Sequence, residues 1–253
     1  MRFASPLVRA TLLRRYKRFL ADVHFEDGRE EVVHVANSGS MLGVSAPGAQ
    51  VWLSRAATPN RRLPHTLELV RVGNALVGVH TGRPNALAEE AIGAGRIPEL
   101  AGYESVRREV PYGRASRIDL LLEAPGKPAC YVEVKNVHLK RGRGRGGAAE
   151  FPDSVTARGA KHLEELSRMV AAGRRAVMLF VVQRGDCDLF RLAADIDPVY
   201  AAAFAKARAR GVEALCYGCK IGRTAIQLAR PLPIEMAGEM AGEMPLETGP
   251  LAD

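Results

Sequence analysis

The stretch RAVMLFVVQ, residues 175–183, constrains the fold more than any other part of the sequence. It is an almost unbroken apolar run and lacks the polar–apolar alternation of a half-exposed strand. Such a run is typical of a strand that is buried on both faces of a sheet. Helical patterns lie on either side of it, TARGAKHLEELSRMVAAG before, with Thr156 as its N-cap, and DPVYAAAFAKARARG after. The second part of the chain is therefore predicted to be an α/β domain with a mixed central sheet.

The first 80 residues have a different pattern, made of short strands and turns. RFLADVHFE and EEVVHVA are separated by Asp27-Gly28, a hairpin signal, and GAQVWLSRA, HTLELVRVG and ALVGVHTG follow as three more strands. Five strands over this length favour a small closed barrel such as an OB-fold. We predict an OB-like barrel over residues 1–82, an α/β domain over 83–231 and a disordered tail over 232–253.

Composition restricts the class of protein. The 253-residue chain carries a formal net charge of +8, which favours a polyanionic partner such as DNA. No apolar run approaches the roughly 20 residues that span a bilayer, and the first residues lack the apolar segment of a signal peptide. Four cysteines are too few for a disulfide scaffold at this length, so we expect free thiols, a cytoplasmic location and no membrane contact.

The stretch YVEVKNV, residues 131–137, carries the chemistry. Successive side chains on a strand alternate between faces, so Glu133 and Lys135 point the same way. The preceding strand candidate, RIDLLLE, contains Asp119, and Pro125-Gly126 provides a turn between the two strands. If the strands form an antiparallel hairpin, Asp119 and Glu133 converge and could bind Mg²⁺ or Mn²⁺. The alternative is an exposed hairpin face with a cross-strand ion pair.

An Asp followed by Glu-x-Lys on adjacent strands resembles the PD-(D/E)xK nuclease superfamily. That resemblance implies that Asp119 and Glu133 bind the metal ion and that Lys135 acts on the attacking water or the phosphate. It also implies a further acid on the preceding helix, NALAEEAIGAGRIPEL, which begins at Asn85 as N-cap and supplies Glu90. Ile118 precedes Asp119 where the superfamily has proline, so the first half of the motif is incomplete.

The chain also closely resembles the bacterial sugar fermentation stimulation protein family. The segments that carry the resemblance include NSGSMLGVSAPG, REVPYGRASRIDLLLE, CYVEVKNVHL and FPDSVTARGAKHLEEL, all in the same order. This family is described as DNA-binding and associated with the regulation of sugar fermentation genes. It has an OB-like N-terminal domain and a nuclease-like C-terminal domain. The resemblance thus implies the same two domains and the same motif at Asp119, Glu133 and Lys135.

Two clusters of basic residues are candidates for DNA contact. LLRRYKRF interleaves cations with Tyr16 and Phe19, a pattern that suits phosphate contact combined with base stacking. The start of the helix at residue 156 adds two cations and His162, because helix N-termini attract phosphate. For His162 a structural hydrogen bond on the helix surface is favoured over a general-base role. The predicted DNA-binding residues are Arg14, Arg15, Lys17, Arg18, Arg158 and Lys161.

Other motifs indicate little chemistry. Cys216 and Cys219 have the spacing of half a zinc site, but no second pair follows, so buried thiols are predicted. GVSAPG lacks the signature of a phosphate-binding loop, and no small-molecule cofactor is indicated. RGRGRGG, residues 141–147, is expected to be a mobile loop that either contacts phosphates or is a tolerated insertion.

Two functions remain open at this level. One is a DNA-binding regulator of sugar utilisation, of the maltose type, whose acidic pocket is vestigial or structural. The other is a Mg²⁺-dependent DNA phosphodiesterase that uses Asp119, Glu133 and Lys135.

Overall fold

The computed structural model describes residues 1–58, 61–113, 116–142 and 144–235. Most of the predicted tail, residues 236–253, and Arg143 of the Arg-Gly loop lie outside this part of the chain. Within it, the N-terminal strands are β1 (Val8–Tyr16), β2 (Leu20–Phe25), β3 (Glu30–His34), β4 (Gln50–Arg55), β5 (His65–Val72) and β6 (Ala75–Gly78).

The first five strands close into a barrel. They are hydrogen-bonded in the order β3-β2-β1-β4-β5, and a parallel pairing of His34 with Thr66 joins β3 to β5. Alternate side chains point inward and form an apolar interior that includes Leu12, Val23 and Leu53, all fully buried. The predicted OB-like barrel is confirmed, and β6 extends it by pairing with β5.

The rest of the described chain forms an α/β domain. Its helices are α1 (Arg83–Gly93), α2 (Ala157–Ala171) and α3 (Pro198–Ala209), with a short 3₁₀ turn at Pro98–Leu100. Its strands are β7 (Ser105–Tyr112), β8 (Ser116–Glu123), β9 (Cys130–Val137), β10 (Ala148–Phe151), β11 (Arg175–Val182), β12 (Leu189–Leu192), β13 (Glu213–Ile221), β14 (Ile226–Pro231) and β15 (Ile234–Glu235).

The central sheet is mixed, as predicted. Its order is β14-β13-β11-β9-β8-β7, with β11 parallel to both β9 and β13 and the remaining pairs antiparallel. β11, the apolar run of residues 175–182, lies in the middle and is buried almost throughout. Strands β10, β12 and β15 form a separate parallel sheet.

Both faces of the central sheet are covered. On one face α1 packs together with Trp52 and Leu69 of the barrel, so the two domains share an apolar cluster. On the other face α2 and α3 pack against Met178 and Phe180 of β11. The sheet therefore positions whatever side chains β8 and β9 direct toward α2.

Two local features differ from the sequence predictions. Leu232 is buried and Ile234–Glu235 form β15, so the first four residues of the predicted tail pack with the α/β domain. In the Arg-Gly loop, Arg141 forms ion pairs with Glu150 and Asp195, which ties down the start of a segment expected to be mobile.

All four cysteines are free and buried, which includes Cys216 and Cys219, the two for which buried thiols were predicted. Within the described residues, no helix has the length and apolar character needed to cross a membrane.

Candidate active site

The pairing of β8 with β9 stops where the acidic residues begin. The register runs from Leu122↔Cys130 to Leu120↔Val132, and Asp119 and Glu133 come next. There the backbone N–H of Val134 donates to Asp119 Oδ2 at 2.8 Å. The Asp119 carboxylate thus accepts the hydrogen bond that a backbone carbonyl of the neighbouring strand would otherwise accept. The strands separate at this point, and the Asp119 carboxylate lies between them, beside β9.

Asp119 is also held from α1. Asn85 Nδ2 donates to Asp119 Oδ1 at 2.8 Å. Asn85 was predicted to be the N-cap of this helix, but α1 begins at Arg83, with Pro84 in its first turn. Proline fits that turn because it lacks the N–H that would have no partner there. Asn85 therefore lies inside the helix, where its side chain is available to orient Asp119.

Glu133 lies at the centre of the site and is almost fully buried, with a side-chain exposure of 3%. Lys135 Nζ donates to Glu133 Oε1 at 2.7 Å, as expected from two residues on one face of a strand. His162 Nδ1 from α2 contacts the same oxygen. The second oxygen, Glu133 Oε2, is buried and has no hydrogen-bond partner among the described residues. A buried carboxylate oxygen without a donor is costly, and it points to a missing cationic or protic partner.

The two carboxylates differ in their electrostatics. Burial, and next the negative charge of Glu133, raise the pKa of Asp119 to about 6. For Glu133 burial acts in the same direction, but His162 and Lys135 outweigh it and hold the pKa of Glu133 below its ordinary value. Glu133 is thus the ionised member of the pair, and Asp119 ionises only near neutral pH.

His162 is buried, in contrast to the surface position favoured from the sequence. Thr156 caps α2 by accepting from the N–H of Gly159, and this start places Arg158 and His162 one turn apart. Arg158 Nε donates to His162 Nε2 at 3.2 Å. Since an arginine nitrogen can only donate, Nε2 accepts, and Nδ1 carries the proton that faces Glu133. Arg158 thereby fixes the imidazole tautomer that supports Glu133.

Tyr112 and Glu165 form the wall beside the two carboxylates. Burial, followed by the charges of Glu133, Glu165 and Asp119, raises the pKa of Tyr112 well above its ordinary value. Gly113, with φ +58°, leaves room for the Glu165 carboxylate, which a Cβ at this position would overlap. The site is therefore a buried, predominantly acidic cluster with Lys135 and His162 as its polar counterparts.

Glu90, the predicted helix acid, does not join this cluster. It is 43% exposed and pairs with the amino group of Met1 at 2.6 Å and with Arg96 at 2.8 Å. Five residues separate it from Asn85, a rotation of about 140° around the helix axis. Glu90 therefore faces the N-terminus, and Asn85 is the α1 residue that reaches the site. This corrects the placement inferred from the superfamily.

The predicted DNA-binding residues of the barrel fall into two groups. Arg15 donates to the backbone carbonyls of Arg18, Asn37 and Gly39, so it holds a loop and is not available for phosphate. Arg14 is exposed but pairs with Asp22 at 2.6 Å. Of the predicted DNA-binding residues of the barrel, Lys17 and Arg18 are exposed and form no ion pair with a described carboxylate.

The predicted cations of α2 are both exposed. Arg158 and Lys161 lie about one turn apart near the N-terminus of α2, and His162 directly follows Lys161. The structure thus brings Arg158 into contact with the acidic cluster and leaves Lys161 on the surface beside it.

The donor set of the cluster suits a hard divalent cation. Asp119 and Glu133 provide two carboxylates, and Glu133 Oε2 has an unused acceptor. No group of three or more His, Cys, Asp or Glu side chains in the described ranges is arranged to hold a metal ion. Two carboxylates are nevertheless a usual protein contribution for Mg²⁺, which keeps several waters and takes phosphate oxygens from a substrate.

Comparison with known proteins gives consistent results for both domains. The family model "Sugar fermentation stimulation protein RE domain" matches residues 82–225, and "SfsA N-terminal OB domain" matches residues 13–79. Proteins described as sugar fermentation stimulation protein homologs are similar over most of the chain. The one from Paramagnetospirillum magneticum is 60% identical over 93% of this chain and 98% of its own, and the one from Rhodospirillum centenum is 61% identical over 92% and 98%.

A solved structure shows the same fold. It is described as the structure of Pyrococcus furiosus SfsA in complex with Ca²⁺. It superimposes with a TM-score of 0.83 at 26% sequence identity and covers 92% of this chain and 97% of its own.

Proposed function

Because this chain belongs to the sugar fermentation stimulation protein family, we propose that its two domains act together on DNA, as a phosphodiesterase that depends on a divalent cation. In this proposal the cation, Mg²⁺ or Mn²⁺, is held by Asp119 and Glu133. The DNA is attracted by the net charge of +8 and by exposed cations of the barrel and α2.

The observation that carries the proposal is the meeting of Asp119, Glu133 and Lys135 at one point. Two buried carboxylates repel each other, and this repulsion contributes to the raised pKa of Asp119. A divalent cation between them would relieve the repulsion and would supply the partner that Glu133 Oε2 lacks. The Ca²⁺ in the structure of the Pyrococcus furiosus relative supports a hard-cation site in this fold.

Each residue of the cluster then has a distinct task. When bound, a divalent cation lowers the pKa of a bound water and stabilises negative charge on a phosphoryl group. Asn85 orients Asp119, and His162 orients Glu133. The ammonium of Lys135, 2.7 Å from Glu133 Oε1, is the group that can hydrogen-bond a water or a phosphate oxygen beside the carboxylates.

Cleavage assays test this proposal directly. Supercoiled plasmid and single-stranded circular DNA are incubated with the protein and Mg²⁺, Mn²⁺ or Ca²⁺. We expect cleavage with Mg²⁺ or Mn²⁺, and we expect Lys135→Ala to reduce it by at least about 100-fold, as for the loss of other transition-state donors. Glu90→Gln is the matched control, because Glu90 lies outside the cluster, and it should cleave like the wild type.

The same assay defines failure. Cleavage that survives Lys135→Ala, or that does not need a metal ion, would refute the proposed site. If Glu90→Gln loses cleavage to the same extent, Glu90 is needed for cleavage, as the superfamily implies, and the position of Glu90 outside the cluster is contradicted.

The second candidate is a DNA-binding regulator of sugar utilisation, of the maltose type, without hydrolysis. The observation in its favour is that Glu133 Oε1 is already occupied by Lys135 and His162, whose side chains are 13% and 7% exposed. Binding without cleavage under all three cations would support it. A regulator must also prefer its target DNA by roughly 1000-fold or more over unrelated DNA of equal length. For either function, the four buried free thiols suit the reducing cytoplasm.

A further inference from the structure

We propose that a continuous surface path carries a single DNA strand with unpaired bases from the barrel to the acidic cluster. This inference rests on the proposed action on DNA and adds the class of substrate. Three segments make up the path: the β1–β2 turn, the loop of residues 37–42, and the segment of residues 153–161 that leads into α2.

The β1–β2 turn presents cations and a phenyl ring. Lys17 and Arg18 both have positive φ, +46° and +61°, which makes a tight turn between the strands. Phe19 follows them, and it is 47% exposed although it is a large apolar side chain. Arg15 fixes this turn to the next segment, because its guanidinium binds the carbonyls of both Arg18 and Gly39.

The second segment joins the barrel to the α/β domain. Ser40 Oγ donates to the carbonyl of Asp153 at 2.6 Å, and the N–H of Met41 donates to Asp153 Oδ2 at 3.0 Å. Leu42, next in the chain, is 47% exposed, and Val155, two residues past Asp153, is 75% exposed. Two exposed aliphatic side chains therefore flank the interdomain contact.

The third segment leads to the cluster. Thr156 starts α2, and Arg158 in its first turn donates to His162, which contacts Glu133. Lys161 is exposed one turn further. Contacts thus follow one another without a break from the β1–β2 turn to the candidate active site.

The charge of the path suits a phosphate backbone. Among the described residues its four exposed cations form no ion pair with a carboxylate, whereas Arg14 on the same barrel is paired with Asp22. The path's own acid, Asp153, lies within 3.3 Å of His138 and accepts from Met41. These cations are Lys17, Arg18, Arg158 and Lys161. Two of them also donate to uncharged groups: Arg18 to the carbonyl of Ser38 and Arg158 to His162 Nε2.

The exposed apolar side chains distinguish between DNA forms. Duplex DNA offers a path of this kind mainly phosphates and sugars, because its bases are stacked inside. A single strand also offers the faces of its bases, on which an aromatic ring stacks. Phe19, Leu42 and Val155 lie between the two cations of the β1–β2 turn and the two cations of α2, so one strand could place its bases on the apolar side chains and its phosphates on the cations at either end.

Binding measured without cleavage tests the path. Anisotropy of a labelled 20-nucleotide single strand and of the corresponding duplex is recorded in EDTA with the full chain. We expect the single strand to bind more tightly and Phe19→Ala to weaken its binding by about tenfold, the usual effect of losing one stacking side chain. Duplex binding should change little. Val32→Ala, an exposed apolar change on β3 outside the path, is the matched control.

Two results would overturn the path: equal affinity for single strand and duplex in the wild type, or Phe19→Ala behaving like Val32→Ala. Since the measurement needs no catalysis, it separates the two proposals. Strand preference without any metal-dependent cleavage would support the path and refute the phosphodiesterase. Cleavage that is intact in Phe19→Ala, with no strand preference, would do the reverse.

Discussion

Replacing Asp119 by asparagine should reveal how much the acidic cluster weakens the fold. The pKa of Asp119 is about 6 in the folded chain and 3.8 for an ordinary aspartate, because burial and Glu133 disfavour its charge. The folded state therefore binds this proton more tightly than the unfolded state. The stability associated with Asp119 is fully present below about pH 4, is lost as pH rises toward 6, and is constant above that. Asparagine has nearly the same shape and no charge, so it lacks this dependence.

The size of the effect follows from the shift. A difference of about 2 pKa units corresponds to about 3 kcal/mol, at 1.36 kcal/mol per unit. Asparagine also loses a hydrogen bond, because its amide can accept from only one of the two donors, Val134 N–H and Asn85 Nδ2. That loss, about 1 kcal/mol, does not depend on pH. Relative to Asp119→Asn, the wild type should therefore lose about 3 kcal/mol between about pH 4 and pH 7.

Urea unfolding over this pH range, in EDTA, measures the difference. The single tryptophan, Trp52, is buried in the cluster shared by the two domains, so its fluorescence reports unfolding of both. Glu104→Gln, at an exposed acid that forms no ion pair with a described residue, provides a surface control for a general pH effect. The result would contradict a raised pKa of Asp119 if the difference in unfolding free energy between wild type and Asp119→Asn changes by less than about 0.5 kcal/mol over this pH range, the size typical of surface substitutions.

Three further predictions concern the site and the core. Millimolar Mg²⁺ should raise the thermal midpoint of the wild type but not of Glu133→Gln, because a ligand at 100 times its dissociation constant adds about 2.7 kcal/mol to the free energy of unfolding. Differential scanning fluorimetry checks this, and equal shifts would contradict a site at Glu133. Gly113→Ala should destabilise the fold far more than Gly28→Ala in urea unfolding. Both glycines have positive φ, but only at Gly113 would a Cβ overlap Glu165. The four thiols should react with Ellman's reagent only after unfolding, because burial raises their pKa values, that of Cys187 to about 11.

The positions of Asp119, Glu133 and Lys135 were predictable because side chains alternate between the two faces of a strand. Side chains alternate along β9, so Glu133 and Lys135 had to share a face, and the Pro-Gly turn made an antiparallel partner for β8 the simplest arrangement. Together these facts place Asp119 beside Glu133. The closed barrel followed in the same way from five short strands with turn signals between them.

The contributions of the helices were not predictable at the same level. The N-cap of α1 lies three residues earlier than predicted, at Gly82 and not at Asn85, and this shift makes Asn85 the residue that holds Asp119. Helix boundaries predicted from sequence vary by this amount. His162 is 29 residues from Glu133 in the chain, and its burial depends on how α2 packs on the sheet. The amphipathic pattern predicts that α2 packs on the sheet, but it does not predict which residue of α2 lies opposite Glu133 of β9.

The cluster makes sense as a binding site more readily than as a structural core. Leu121 and Val137 lie on the same two strands and pack against α2, so apolar side chains fit this face of the sheet. Replacing a buried charged network by such residues is often neutral or stabilising. The chain instead places Asp119 and Glu133 together, at a cost shown by the raised pKa of Asp119. In the proposed phosphodiesterase a divalent cation would remove that cost, and Lys135 would also have to be free to reach a phosphate. Cation affinity that persists in Lys135→Ala while cleavage is lost would therefore assign binding to the carboxylates and chemistry to the lysine.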